Sequence, residues 1–153
     1  GDLGVMFDLY NEPHNVSWSC WQNGCTVDGY QAVGMKQLVA TVRGTGAKNV
    51  VIAGGLSWSL DLSQWLAHRP ADSARQLGAS LHTYDFAACT TSCRSNVTNV
   101  KAKVPVVAGE IGETDCQHGY IDDLMPFLDN LGVSYLGWTW DANGGWTCTE
   151  GQR

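Results

Sequence analysis

Residues 5–14 read Val-Met-Phe-Asp-Leu-Tyr-Asn-Glu-Pro-His (VMFDLYNEPH), an apolar run that stops abruptly in an amide, a carboxylate and a proline. The β-branched and aromatic side chains predict a buried strand over Val5 to Tyr10, interrupted only by Asp8. Pro13 has no N–H to give a sheet ladder, so the strand ends near Asn11 and Glu12. Those two side chains then stand at a strand's C-terminal tip, the edge where parallel α/β architectures do their chemistry. A second run of the same kind, VPVVAGE, ends in Glu110. Two glutamates at strand tips point to a pair acting on one bond.

Outward from these runs the pattern alternates between strand and helix. His14 to Val27, rich in Trp, Asn and Cys, reads as a loop in which Trp18 and Trp21 are candidate platforms for a flat ligand. From Asp28 a helix is expected, because Met35, Leu38, Val39 and Val42 fall at i, i+3, i+4 and i+7; Gly44 and Gly46 end it. Asn49 to Ala53 is a second strand, Gly54-Gly55 its turn, and Trp58 follows in the loop. Leu60 to Leu77 is ambiguous, with Pro70 breaking any long helix. Gly78 to Thr83 reads as a third strand carrying His82 and leading to Tyr84. A cysteine-bearing loop and a modest helix ending near Lys103 precede the fourth strand, Val104 to Ala108, which closes at Glu110. Tyr120, Leu124, Phe127, Leu128 and Leu131 have helical spacing despite Pro126, and Gly132 stops that helix. Val133 to Trp140 is the fifth strand.

Five strands with intervening helices predict a parallel sheet with right-handed crossovers. Side chains alternate along a strand, so the even positions share one face: Met6, Asp8, Tyr10 and Glu12; His82 and Tyr84; Val104, Val106 and Glu110; Leu136, Trp138 and Trp140. The odd positions, including Phe7, Leu9, Leu81 and Val107, would meet the helices. Asp8, facing inward from mid-strand, would be a costly charge in need of a partner.

The bulk numbers narrow the function. With 153 residues, 44% of them hydrophobic, residues 1–153 form one domain. A net charge of −6 and nine scattered Lys and Arg argue against nucleic acid and favour an uncharged ligand. No apolar run is long enough to span a membrane. Seven Trp and five Tyr are many for this length, and aromatic faces stack on sugar rings. None of the six cysteines forms a C-x-x-C motif, so no metal site is expected. Proximity pairs Cys20 with Cys25 and Cys89 with Cys93, leaving Cys116 for Cys148. Disulfides imply an oxidising, secreted setting. The chain starts without Met, as a processed or truncated end would. Asn15-Val16-Ser17 and Asn96-Val97-Thr98 match the short glycosylation-acceptor pattern.

Taken together, Asn11-Glu12-Pro13 at one strand end, His82-x-Tyr84 at a second, Gly109-Glu110 at a third and Trp138 at a fourth resemble glycoside hydrolase family 5, the cellulase-type (β/α)8 barrels. The segments LHTYDF, VVAGEIGE and SYLGWTWD resemble that family's later strands. The resemblance implies a partial (half) (β/α)8 TIM barrel spanning strands four to eight, and a retaining endo-β-1,4-glucanase that needs no cofactor. It makes Glu12 the general acid/base, Glu110 the nucleophile, Asn11 a hydrogen-bond partner of the sugar 2-hydroxyl, and Trp138 a stacking platform. His82, Tyr84 and Trp58 join the substrate-binding set, and Tyr84 would hold Glu110 ionised. Glu113 is the rival to Glu110, with a loop charge or helix cap as its plainer role. A whole barrel takes about 250 residues, so the family's first three strands, with their arginine and histidine, are missing. The open sheet is expected to find a partner, a second copy forming a homodimer. The other class of function is a truncated carbohydrate-binding module without hydrolysis.

Overall fold

The structure is a computed structural model that describes residues 2–115 and 117–139. In chain order its elements are β1 (Phe7–Asp8), α1 (Trp18–Asn23), β2 (Cys25–Val27), β3 (Tyr30–Ala32), α2 (Met35–Gly44), β4 (Val51–Gly54), α3 (Trp65–His68), β5 (Leu77–Tyr84), α4 (Thr91–Lys101), β6 (Val106–Gly112), α5 (Gly119–Leu131) and β7 (Ser134–Gly137). Five strands make one parallel sheet in the order β1-β4-β5-β6-β7, and β2 and β3 form a separate antiparallel hairpin. Sheet order follows chain order throughout. The winding therefore never reverses, which is the pattern of a barrel rather than of a doubly wound sheet with a switch point.

One face of the sheet is the core. Val51, Ala53, Leu77, Ala79, Leu81, Val106 and Ala108 are all buried and pack in one cluster with Val39, Trp65, Val97, Val100, Leu124 and Leu128 of the helices. β5, in the middle, is buried from Leu77 to Thr83 because it has neighbours on both sides and helices behind. β1 is an edge strand and pairs only through Phe7 and Asp8, shorter than the expected Val5 to Tyr10. β4 starts only at Val51, so among the described residues Val5 and Met6 have no ladder partner; Val5, Met6, Phe7 and Tyr10 are exposed along this edge.

Three expectations fail between His14 and Met35. Residues 14–27 are not a loop: Ser17 caps α1, its hydroxyl accepting from Cys20 N at 3.1 Å, and the Cys20–Cys25 disulfide ties that helix to β2. The second helix begins at Met35 rather than Asp28, because Cys25–Val27 and Tyr30–Ala32 are claimed by the hairpin. Trp18 and Trp21 are buried, so they serve the core rather than a ligand. Pro126 sits inside α5, held there by the fully buried Leu124 and Leu128 on either side of it. Cys89 and Cys93 are bonded as expected, whereas Cys116, Cys148 and Trp140 lie outside the described residues.

A further correction concerns β6. Leu81 pairs with Ala108 but His82 pairs with Glu110, so Gly109 is an extra residue and β6 carries a bulge. Before the bulge Val107, not Val106, lies beside Ser80 on the inner face, and Val106 and Ala108 face the helices. Simple alternation fails here, and Glu110 comes to the inner face because of the bulge. The residue must be glycine for close approach, since a Cβ at 109 would stand 2.8 Å from Ser80 Oγ and 3.1 Å from His82 Nε2.

Arg43 of α2 closes the opposite end of the sheet. Its guanidinium donates to both carboxylate oxygens of Asp72, at 2.6 and 3.0 Å, and to the carbonyls of Ala47 and Asn49. The two residues are half-buried, with their side chains turned inward. The Arg43 hydrogen bond holds the Asp72 carboxyl below the usual carboxylate range. Stability from this pair is therefore present above the ordinary Asp value, about pH 4, and is lost as pH falls through the depressed native value. Asp72→Asn should cost about 1 to 3 kcal/mol at pH 7, since it removes the charge from a part-buried pair whose guanidinium keeps the Ala47 and Asn49 carbonyls. The penalty, read from urea unfolding, should shrink steadily below about pH 4; a penalty independent of pH would contradict the assignment.

Candidate active site

The site is built at the C-terminal ends of β1, β5 and β6. Beyond β1 the chain leaves the sheet, and Glu12 adopts a left-handed conformation (φ 51°), rare for a residue with a side chain. His14 holds that geometry by donating from Nδ1 to Glu12 O at 2.7 Å. Pro13 O accepts from Trp58 N at 3.1 Å, and the rings of His14 and Trp58 stack with centroids 4.6 Å apart and planes within 7°. The chain past β4 thus supports the chain past β1.

Inside this frame four expected residues converge. His82, buried at 4% exposure, donates from Nδ1 to Glu12 Oε1 at 3.1 Å and lies 3.5 Å from Glu110 Oε1. The Tyr84 hydroxyl donates to Glu110 Oε2 through a very short hydrogen bond. Burial, with the Glu110 carboxylate beside it, pushes the Tyr84 phenol well above its ordinary range. Tyr84 is therefore a permanent donor to Glu110. Donor atoms of Glu12, His82 and Glu110 all lie within 4.8 Å of one another. Three such groups could also hold a cation; here His82 and Tyr84 each engage one oxygen of one carboxylate, Glu12 Oε1 and Glu110 Oε2.

Asp8 sits one layer below. Its Oδ2 accepts from Ser80 Oγ at 3.2 Å, so it does have a partner within the described sheet. The residue is open to solvent at the sheet edge, yet its carboxyl is crowded enough that desolvation raises its pKa, against the opposing Ser80 hydrogen bond. Glu113, the rival carboxylate, is elsewhere: its Oε1 accepts from the backbone N of Tyr120 and Ile121 and caps α5.

Asn11 is exposed and its side chain makes no hydrogen bond among the described residues. Trp58 and Trp138 are half exposed, at 52% and 55%. They are tied to the chain just after each glutamate, Trp58 N to Pro13 O and Trp138 N to Ile111 O at 2.9 Å. Sequence reasoning missed three parts of this arrangement: His14, Ser80 and Phe86, whose ring stacks on Tyr84 at 5.3 Å. His14 directly follows Asn-Glu-Pro and Ser80 precedes His82 by one alternation, so both stood in view, but neither residue type signals its role without the partner.

Known proteins carry the same arrangement of elements. A model of cellulase (glycosyl hydrolase family 5) matches residues 2–144. A mannan endo-1,4-β-mannosidase from Streptomyces lividans is 26% identical over 149 residues, which is 92% of this chain and 36% of that protein. Among solved structures, an endo-β-1,4-glucanase from Xanthomonas axonopodis pv. citri superposes with a TM-score of 0.68 at 20% identity, over 97% of this chain and 52% of its own. A β-mannanase from Thermomonospora fusca gives 0.70 at 22% identity, over 92% and 47%. This chain spans about half of each of those structures, whose fold it shares as a half barrel. With a match to the family model from residue 2 to residue 144, the chain belongs to glycosyl hydrolase family 5.

Proposed function

We propose that the chain carries the two-glutamate machinery of a retaining β-1,4-glycan hydrolase, as strands four to eight of a (β/α)8 barrel. The observation that supports this most is the separation of the two carboxylates, whose facing oxygens lie within 4.8 Å. Retaining enzymes hold them about 5 to 5.5 Å apart, whereas inverting enzymes need about 6.5 to 9.5 Å to admit a water. In this reading Glu110, which accepts from Tyr84, attacks the anomeric carbon while Glu12 gives its proton to the departing glycosidic oxygen. A water then surrenders a proton to Glu12 and its oxygen displaces Glu110 from the sugar. His82 bridges the two carboxylates as charge moves between them. Asn11 meets the 2-hydroxyl, and Trp58 and Trp138 are platforms on either side of the scissile bond.

Glucan is the first substrate in this proposal, and the protein is taken as secreted on account of its disulfides. Mannan is the second reading, favoured by the mannosidase relative that aligns over 92% of the chain. For the open edges, the reading favours strands of the kind the longer relatives carry over a second copy of this chain. The structural relatives run to about twice this length, and a homodimer has no other support.

The test is proton NMR of the first product released from carboxymethyl cellulose and from galactomannan. The β-anomer should appear first, before mutarotation, and the faster polymer names the substrate. An α-anomer appearing first would overturn the retaining assignment; no release from either polymer would leave a carbohydrate-binding half barrel.

A further inference from the structure

We propose that the facing side chains of Glu12, His82 and Glu110 bind one divalent transition-metal ion of the zinc class, and that the bound ion shuts the site to substrate. The ion is an inhibitor here, not a cofactor, and its inhibitory effect rests on the glycan-hydrolase reading above.

Donor geometry comes first. His82 Nδ1 lies 3.1 Å from Glu12 Oε1 and 3.5 Å from Glu110 Oε1, and one donor atom from each residue falls within 4.8 Å of the others. Zinc bonds N and O at about 2.0 to 2.2 Å, which sets neighbouring ligand atoms about 3.4 Å apart in a tetrahedron and about 3.0 Å apart in an octahedron. Both edges at His82 are therefore of coordination length. The remaining edge, between the two carboxylates, can close through the broad terminal torsion of Glu12. Three protein ligands leave a fourth position open. Side-chain exposures of 26% at Glu12 and 17% at Glu110 give an ion its way in.

The donor set and the charge select the ion. An imidazole nitrogen beside carboxylate oxygens suits zinc, copper or nickel, whereas magnesium and calcium favour oxygen alone. On binding, the His82 ring carries its proton on Nε2 and the ion takes the place of the proton between Nδ1 and Glu12. Among the described residues neither glutamate pairs with a Lys or Arg, and His82 is the ion-pair partner of both. Two carboxylates thus converge on one imidazole, and a dication supplies the missing positive charge.

The ligands are also held in place from behind. Tyr84 donates to Glu110 Oε2, which leaves Oε1 turned toward His82, and such an outer hydrogen bond orients a ligating carboxylate. His82 is 4% exposed and its backbone N donates to Ser59 O at 3.2 Å. Glu12 is fixed by its left-handed backbone and the hydrogen bond from His14. Ligands already in position lower the ordering cost of binding. An ion seated there covers the oxygens that attack and protonate in the proposed reaction, so ion and glycan exclude each other.

The experiment is a calorimetric titration of the full chain with zinc chloride. His118→Ala serves as the control for the exposed His118–Asp122 pair. One ion per chain should bind to the wild type and to His118→Ala alike, and equimolar magnesium should not compete. Glu110→Gln and His82→Gln, each with an unchanged far-UV circular dichroism spectrum, should weaken the zinc Kd at least about tenfold. Hydrolysis of cellohexaose should show an apparent KM that rises with zinc at constant kcat, and a chelator should reverse it. Zinc binding that survives both substitutions, or that vanishes in His118→Ala, would overturn the site. Hydrolysis indifferent to zinc bound at these residues would overturn the blockade. Binding as expected by a chain that releases no sugar from any β-glycan would uphold the metal site and remove the hydrolase reading alone.

Discussion

Glu110→Gln is expected to lower reducing-end release from a soluble β-glucan by at least about a thousandfold. The change is nearly isosteric, and an amide oxygen still accepts from Tyr84, so the thermal midpoint should hardly move. What is lost is the charge that attacks the anomeric carbon. Glu12→Gln should separate from it by substrate. On a polymer it is as damaging, because the glycosidic oxygen leaves poorly without a proton. On a dinitrophenyl glycoside, whose leaving group departs unprotonated, the first step survives and a burst of phenolate precedes slow turnover. Equal loss on both substrates would contradict the assignment of Glu12 as acid, and undiminished turnover in Glu110→Gln would contradict that of Glu110 as nucleophile.

The largest stability effect is expected at Trp65. It is fully buried between helix and sheet, and its Nε1 donates to Ala53 O at 3.0 Å. Trp21 does the same for the next carbonyl, Gly54 O at 2.9 Å, and the two rings are 6.4 Å apart. Trp65→Ala empties the centre of this cluster and should cost about 3 to 5 kcal/mol. Trp65→Phe keeps most of the packing but leaves a buried carbonyl without its donor, which costs about 1 to 3 kcal/mol. Urea unfolding of both variants checks this. If Phe proves as damaging as Ala, the hydrogen bond rather than the packing holds the end of β4 in place.

Much of this was legible in the sequence because it rests on short-range rules. Glycines marked helix ends, and the strand-helix rhythm gave the parallel order that the sheet has, although the first strand ends at Asp8, well before Pro13. His82 and Tyr84 could be placed at the end of a strand from the same rhythm, whereas Glu110 lies within β6, which runs on to Gly112. What stayed hidden depends on contacts between distant segments. The helix at Trp18–Asn23 is one and a half turns long and gains its stability from a cap, a disulfide and two buried indoles, none of which gives a periodic signal. The same burial turned Trp18 and Trp21 from candidate platforms into core. His14 acquires a task only when Trp58, far along the chain, lies flat against it.

The extra residue in β6 has a consequence beyond local geometry. Up to Ala108 the even positions of the strand face the helices, and from Glu110 they face the interior of the barrel. One strand therefore answers two demands in succession, and the change of phase at Gly109 keeps them apart. Ile111, next to Glu110, thereby returns to the core beside Val106 and Ala108, and the glutamate alone is turned inward. A site grafted onto a sheet in this way can change its reaction while the protein keeps its fold.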